Sequence, residues 1–262
     1  MPTTPRARSW FLLLAAGTGL VAGCSGGGPA RNARAAKVEV DSPISAECPE
    51  EAVPPGVERL SLTAEDGTPI GAATVGAGDT AVVLVHGSGQ DLCDWLPFVP
   101  RLEALGVTVA AYDMRGRGAS GGSKTDTASL PSDLATVVSA LRDQGAQRVV
   151  LVGTSLGAAA ALVASAHIEP PVDAVVAVSP PISLGGVDVE SEARRFGGPI
   201  YLVAAKGDDT FAGNARELAA VVPTVRGTTV LDGSQHGMRL ILAQPDEVLG
   251  VIRRAVEATS GG

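Results

Sequence analysis

Residues 148–158 read RVVLVGTSLGA, and residues 159–164 continue as AAALVA. The first part is a short apolar run rich in valine, which is typical of a buried parallel strand. The last part consists of strong helix formers. The glycines at 153 and 157 carry no Cβ, so they allow a strand and a helix to approach closely on either side of Ser155. We therefore expect Ser155 at a sharp strand-to-helix bend, with its hydroxyl at the positive end of the helix dipole.

The flanking segments distinguish this Gly-x-Ser-x-Gly turn from an ordinary Gly/Ser turn, which a chain with 33 glycines also contains by chance. A strand before the turn and a helix after it are the context of a nucleophile elbow. On these residues the sequence resembles the α/β-hydrolase superfamily, over about residues 57–258. The resemblance implies an α/β fold with a mostly parallel central sheet and helices on both faces.

Composition and charge narrow the classes of partner. The chain has 262 residues, of which 45% are hydrophobic, enough for one α/β domain or two small ones. Its net charge of −8, with scattered Lys and Arg, argues against nucleic acid as a charge-driven partner. Three cysteines and three histidines show no metal-ligand spacing, so we expect no metal site. The resemblance likewise implies that no cofactor is needed.

The first residues have the pattern of a targeting segment. Arg6 and Arg8 precede an apolar stretch that is shorter than the roughly 20 residues needed to span a bilayer. The stretch ends in LVAGC at 20–24, which resembles a bacterial lipobox, where the signal is cleaved before a lipidated cysteine. We predict a lipoprotein-type signal peptide at 1–23, lipidation at Cys24 and export to the cell surface, with membrane contact through the lipid anchor only. A plain secretory signal that contains a cysteine is the alternative.

Residues 24–52 mix Pro, Gly, Ala and charged residues without periodicity, which predicts a flexible linker before a domain at 53–262. Cys48 lies at the end of this linker and Cys93 lies within the domain. An exported protein occupies an oxidising compartment, so a Cys48–Cys93 disulfide is one hypothesis and two free thiols are the other.

A second landmark of the superfamily follows the apolar strand at 81–85. The sequence HGSG at 86–89 corresponds to the loop that supplies one backbone N–H of an oxyanion hole. We expect the amide of Ser88 in this role, with the amide of Leu156 as its partner. His86 is interpreted as a structural residue of the loop. Asp113 begins DMRGRGAS at 113–120, which resembles a superfamily turn, and is interpreted as architectural.

The resemblance also locates an acid and a base. The strand at 200–205 ends in KGDDTF at 206–211, where the superfamily has its triad acid. Both Asp208 and Asp209 fit, and we favour Asp209 because a small residue and then an apolar one follow it, as in relatives. His236, after the last strand, is in the position of the general base. Ser155, Asp209 and His236 then follow the α/β-hydrolase order along the chain.

The segment at 179–199 leaves room for one short helix, so we expect a minimal or absent lid and an open site. Trp95, Phe211 and Met238 lie beside the expected catalytic loops, and each is predicted either to line an acyl pocket or to pack in the core.

These observations predict a serine hydrolase (a serine esterase) that cleaves small or medium carboxylic esters through an acyl-enzyme on Ser155. The partner is then a small-molecule ester. An acyltransferase or a peptidase that uses the same triad is the alternative within the superfamily. A catalytically inactive, surface-anchored binding protein is the alternative from another class.

Overall fold

The computed structural model describes residues 38–259 of the chain. The predicted signal peptide, the lipidation site Cys24 and the first part of the predicted linker lie outside these residues. Within the described range, no helix is both long enough and apolar enough to cross a membrane.

The described residues contain ten strands and seven α-helices. The strands are β1 (Glu58–Thr63), β2 (Pro69–Val75), β3 (Thr80–Val85), β4 (Thr108–Tyr112), β5 (Arg148–Thr154), β6 (Ala174–Val178), β7 (Ser183–Leu184), β8 (Val187–Asp188), β9 (Ile200–Ala205) and β10 (Val225–Leu231). The helices are α1 (Val99–Glu103), α2 (Leu130–Asp143), α3 (Leu156–Ser165), α4 (Val189–Ala193), α5 (Asp209–Val221), α6 (Met238–Ala243) and α7 (Pro245–Thr259).

Eight strands form one sheet in the order β1-β2-β4-β3-β5-β6-β9-β10. β2 runs antiparallel to its neighbours β1 and β4, and the other neighbouring pairs are parallel. β5 lies in the middle, where Val149, Val150, Leu151 and Val152 are fully buried. Continuous apolar runs form the central strands because neither face of these strands meets water. The predicted α/β fold with a mostly parallel sheet is confirmed.

The helices cover both faces of this sheet. α2, α3 and α5 pack on one face, where the alanines of α3 at 158–161 are fully buried. α1, α6, α7 and a 3₁₀-helix (Leu92–Phe98) pack on the other face. The amphipathic pattern of α2 explains its place, since Leu134, Val137, Val138 and Leu141 form its buried stripe.

At the turn between β5 and α3, the strand and the helix approach each other closely at two glycines, as the sequence predicted. A Cβ at position 153 would collide with the backbone of Gly157, and a Cβ at position 157 would collide with the carbonyl of Val85. Ser155 stands between them with φ 51° and ψ −119°, in the left-handed region that non-glycine residues rarely adopt. The sharp bend is therefore built into the backbone.

The connection between β6 and β9 is short. It holds the two-stranded hairpin β7–β8 and the single five-residue helix α4. No larger lid element is present in the described connection, which matches the expectation of a minimal lid.

The segment before β1 differs from the predicted linker. Residues 44–46 and 50–52 form 3₁₀-turns, and Ile44 and Cys48 are buried against the domain. Cys48 is bonded to Cys93, with a Cα–Cα distance of 5.4 Å. The linker prediction of 24–52 is therefore too long at its C-terminal end, because two apolar side chains and the covalent bond attach residues 44–48 to the domain.

The same segment covers the turn after β4. Asp113 is fully buried, and its carboxylate accepts hydrogen bonds from the backbone N–H groups of Leu92 at 2.9 Å and Ala119 at 3.0 Å. Glu47 accepts from the same Ala119 N–H at 3.2 Å, so two carboxyl groups meet at one donor. Burial, followed by the neighbouring Glu47 carboxyl, raises the pKa of Asp113 to about 8. Asp113 is thus a structural group of this turn, as the sequence predicted.

Candidate active site

Three loops at one edge of the sheet form the candidate site. Ser155 follows β5, Asp208 follows β9 and His236 follows β10. Because these strands are parallel, their carboxyl ends lie at the same edge, where α/β proteins bind their ligands. His236 is thereby brought to Ser155, 81 positions before it in the sequence, and to Asp208, 28 positions before it.

The three side chains form one hydrogen-bonded chain. His236 Nε2 lies 2.8 Å from Ser155 Oγ, and His236 Nδ1 lies 2.7 Å from Asp208 Oδ2. A carboxylate at Nδ1 favours the tautomer in which Nδ1 carries the proton, which leaves Nε2 free to accept the serine proton. The arrangement has the geometry of a Ser-His-Asp triad.

The preference for Asp209 as the acid is wrong in this geometry. Asp209 is the first residue of α5 and is exposed, whereas Asp208 precedes the helix with φ −90° and ψ 63°. Because Asp208 lies outside the helix, its side chain can turn towards the loop of His236. Asp209 instead belongs to the first helical turn, where an acidic residue suits the helix dipole.

The expected oxyanion donors lie beside the nucleophile. Ser88 and Ser155 line the same cavity, and Ser88 and Leu156 also line a narrow adjoining cleft. Within residues 38–259, neither the Ser88 N–H nor the Leu156 N–H donates a hydrogen bond to another protein group. Both amides are therefore available to an oxygen bound next to Ser155, which is what an oxyanion hole requires.

His86 orients the loop that carries Ser88. The backbone N–H of Met114 donates to His86 Nε2 at 3.0 Å, so Nδ1 carries the ring proton and donates to the carbonyl of Gly87 at 2.8 Å. Burial lowers the pKa of His86 to about 4, against the hydrogen bond to Gly87, so the ring is neutral near pH 7. Gln90 adds a second support, since its side-chain oxygen accepts from the Gly87 N–H at 2.9 Å.

An open cavity of about 550 Å³ gives access to Ser155 and His236. Its walls carry Asp94 and Arg239, two exposed charged residues, together with the apolar side chains of Met238 and Leu242. Leu242 is 57% exposed, the largest exposed fraction among the large apolar side chains of the described residues. α6 thus contributes both apolar side chains and the charged Arg239 to the cavity, which can admit an organic group beside the hydroxyl.

The three predicted substrate-contacting residues have different positions. Met238 lines the cavity. Phe211 packs on the imidazole of His236, with ring centroids 4.1 Å apart. Trp95 is fully buried and packs near Phe98, so it takes the core position of its two predicted alternatives and does not line the pocket. The 3₁₀-helix capped by Asp91 turns Trp95 towards the sheet.

One residue of the site was not predicted. Ser179 follows β6, is fully buried and has φ 51°, and its Oγ accepts a hydrogen bond from the Gly237 N–H at 3.1 Å. The sequence offers only a serine before two prolines at a strand end. Nothing local indicates that this serine contacts the loop of His236, which lies 58 positions away from it in the chain.

Within residues 38–259 no cluster of three or more His, Cys, Asp or Glu side chains is arranged to hold a metal ion.

Solved structures of other proteins share this fold. An esterase of Pyrococcus furiosus is 21% identical and superposes with a TM-score of 0.68, over 77% of this chain and 90% of that chain. A proline iminopeptidase of Mycobacterium smegmatis is 13% identical, with a TM-score of 0.64 over 77% of this chain and 99% of that chain. A bacterial membrane phospholipase A is 15% identical, with a TM-score of 0.63 over 79% of this chain and 88% of that chain. At such identities the likeness concerns the fold alone.

No curated protein matches the sequence significantly. The family described as "Serine aminopeptidase, S33" matches residues 76–206, which is half of the 262-residue chain. The matched range begins before β3, includes Ser88, Ser155 and Ser179, and ends just before Asp208. The family match covers half of the chain, and the observed fold agrees with it. The chain therefore belongs to the serine aminopeptidase S33 family of the α/β-hydrolase superfamily.

Proposed function

We propose that this hydrolase cleaves small or medium carboxylic esters through an acyl-enzyme on Ser155. The observation that carries the proposal is the continuous contact from Ser155 Oγ through His236 to Asp208, at 2.8 Å and 2.7 Å. A serine hydroxyl is a weak nucleophile at neutral pH, and an imidazole at hydrogen-bond distance is the general base that activates it. Asp208 orients the imidazole and stabilises its protonated form.

The first half of the reaction forms the acyl-enzyme. Ser155 Oγ attacks the ester carbonyl while its proton passes to His236 Nε2. The tetrahedral intermediate places its negative oxygen at the amides of Ser88 and Leu156, and each such donor typically lowers the barrier by about 3 kcal/mol. The carbonyl re-forms when the alcohol leaves with the proton from His236.

The second half releases the acid. Water from the open cavity donates a proton to His236 Nε2 and attacks the acyl carbonyl. The same two amides stabilise the second tetrahedral intermediate, and Ser155 leaves with the proton. The 550 Å³ cavity has room for a small or medium organic group, and the short β6–β9 connection leaves its mouth open.

Two alternatives use the same site. A peptidase would apply the triad to an amide, and the family description and the iminopeptidase structure make an aminopeptidase the form of this alternative to test. An acyltransferase would pass the acyl group to an acceptor other than water. A binding protein with an inactive site is the alternative outside enzymes.

The test is labelling of the purified protein with a fluorophosphonate probe, which reacts with activated serines. We expect labelling of the wild-type protein and none of Ser155→Ala. Ser165→Ala is the matched control, because Ser165 is a buried serine at the other end of α3 and bonds only to the carbonyl of Leu162. This control should label like the wild type.

A substrate panel run in parallel separates the activities. We expect turnover of p-nitrophenyl acetate and butyrate to exceed that of leucyl and prolyl p-nitroanilides. Faster cleavage of the anilides would replace the esterase by an aminopeptidase. A folded wild-type protein that neither labels nor turns over any substrate would contradict the hydrolase and favour the binding protein.

We propose in addition that the protein is exported and lipid-anchored through Cys24. The support is the sequence of residues 1–24, together with a Cys48–Cys93 bond, which suits an oxidising compartment. Metabolic labelling with a fatty acid in a bacterial host should label the wild-type protein in the membrane fraction. Cys24→Ser should lose the label, and equal labelling of both proteins would contradict the proposal.

A further inference from the structure

The turn after β6 contacts all three segments that carry the triad. The carbonyl of Val178 accepts from the backbone N–H of Ser155 at 2.9 Å. Ser179 Oγ accepts from the backbone N–H of Gly237, next to His236, at 3.1 Å. The carbonyl of Pro180 accepts from the side-chain amide of Asn214 in α5, the helix that follows Asp208, at 3.0 Å. Three consecutive residues therefore join the nucleophile turn, the loop of the base and helix α5, which begins directly after the acid.

Only one of these contacts depends on a side chain of the turn. Val178 and Pro180 use backbone carbonyls, which any residue would offer, whereas Ser179 uses its hydroxyl. Ser179 is fully buried with φ 51°, a conformation that glycine adopts without strain and serine does not. A glycine would relieve the strain but would leave the Gly237 N–H without this acceptor. The hydroxyl is therefore the feature that distinguishes serine from glycine at this position.

The contact acts on the peptide bond next to the base. Gly237 has φ 55° and ψ −123° and immediately precedes α6, so the chain bends sharply directly after His236. A Cβ on Gly237 would lie only 3.6 Å and 3.7 Å from the Cβ atoms of Thr154 and Ser155. The backbone of the histidine loop thus passes over the nucleophile turn at van der Waals distance. A rotation of the His236–Gly237 peptide would displace the imidazole, which must stay 2.8 Å from Ser155 Oγ.

We propose that Ser179 is a positioning residue, whose hydroxyl holds the Gly237 amide and thereby keeps His236 in line with Ser155. This inference rests on the proposed function, because it assigns Ser179 to the support of the proposed general base. Ser179 does not line the cavity and touches no substrate, so it acts through the backbone of the loop.

The first arm of the test does not require catalysis. Hydrogen–deuterium exchange at the Gly237 amide is compared among the wild type, Ser179→Ala and Ser165→Ala. A hydrogen bond of ordinary net strength predicts about tenfold faster exchange in Ser179→Ala. Ser165→Ala also removes a buried serine hydroxyl, in α3, and should leave Gly237 exchange unchanged.

The second arm separates positioning from stability. Ser179→Gly and Ser179→Ala both lack the hydroxyl, but the glycine variant lacks the backbone strain and should unfold at the higher temperature. We expect both variants to lose about tenfold in kcat on p-nitrophenyl acetate with little change in KM, since a displaced base slows the reaction more than it weakens binding. A role in stability alone would instead restore kcat in Ser179→Gly.

Each outcome decides one question. Faster exchange with a matched loss of kcat in both Ser179 variants supports the positioning role. Unchanged exchange at Gly237, or wild-type kcat in either variant, overturns it. If the wild type shows no turnover, the proposed function fails, and the exchange arm still decides whether Ser179 holds the loop.

Discussion

Two aspartates follow strands of the same sheet, and the protein gives them opposite surroundings. Asp113, after β4, is fully buried under the segment that carries Glu47, and its carboxyl group accepts from the backbone N–H groups of Leu92 and Ala119. Asp208, after β9, keeps 14% of its side chain exposed and faces the imidazole of His236. Both residues are aspartates in turns that follow strands of the sheet, and their different neighbours separate a structural carboxyl group from one that can serve a base.

The difference comes from what covers each turn. The N-terminal segment, bonded through Cys48 to Cys93, closes the turn of Asp113 against water and brings a second carboxyl group to it. Such surroundings favour a shared proton. The turn of Asp208 lies against the histidine loop, where the backbone N–H of Gly207 donates to the carbonyl of Gly233 at 2.8 Å. The following changes test this comparison.

The largest effect is expected from Asp208→Asn. An amide at this position favours the wrong tautomer of His236, and loss of the acid in triads of this kind lowers kcat by about 10⁴-fold. The neighbouring Asp209→Asn is the matched control and should stay within about twofold of wild type, because Asp209 is exposed in the first turn of α5 while Asp208 bonds the imidazole. Steady-state kinetics on p-nitrophenyl acetate measure both, and equal losses in the two variants would contradict the assignment.

A smaller effect, on the free energy of unfolding, is expected when the segment that covers Asp113 loses its disulfide bond. Removing the bond with Cys48→Ser and Cys93→Ser together opens a loop with a sequence separation of 45 residues. Chain entropy then predicts a loss of about 4 kcal/mol in the free energy of unfolding. Urea denaturation measures the loss, while kcat below the unfolding range should be unchanged. A fall in kcat without a fall in stability would mean that this cover acts on the active site directly.

The pH dependence of stability tests the buried surroundings of Asp113. The native state holds a proton on Asp113 up to about pH 8, while the unfolded chain releases it near pH 4. The native state therefore binds more protons in this window, and its stability falls as the pH rises. Relative to wild type, the free energy of unfolding of Asp113→Asn should gain up to about 1.4 kcal/mol per pH unit, which is about 3–4 kcal/mol between pH 5 and pH 8. Urea denaturation at both pH values measures this gain, and a constant difference between the proteins would contradict the shared proton.

The smallest effect is expected from Phe211→Leu, which removes an aromatic ring from the face of His236 at 4.1 Å. Aromatic contacts of this kind contribute about 1 kcal/mol, so kcat should fall about threefold to tenfold. Trp95→Phe, a change in the core, should alter stability and leave kcat alone. A larger kinetic effect for Trp95→Phe would return that residue to the substrate pocket.

Local patterns were sufficient for the sheet and the nucleophile turn. The valine-rich run before Ser155 and the alanines after it form β5 and α3 because burial on both faces and helix propensity act over a few residues. The histidine loop followed from its place after the last strand. In these parts of the chain the sequence neighbours already determine the local structure.

The remaining features depend on contacts between distant residues. The choice between Asp208 and Asp209 rests on where α5 begins, which a pair of adjacent aspartates does not indicate. Trp95 was ambiguous because only the packed 3₁₀-helix decides which way its ring points. Ser179 was missed because its partner Gly237 belongs to another loop. The predicted C-terminal end of the linker at residue 52 was wrong because the few buried side chains before it, Ile44 and Cys48, form no periodic pattern.

The short β6–β9 connection has a consequence for the fate of the acyl group. Enzymes that close over a reactive intermediate do so in part to keep water away from it. Here a five-residue helix and a hairpin of two two-residue strands cannot form such a cover. An acyl group on Ser155 would face solvent throughout its lifetime, so any alcohol acceptor would compete with bulk water at every turnover. The partition of the intermediate should therefore favour the free acid, and added methanol should divert only a small share of it to the methyl ester.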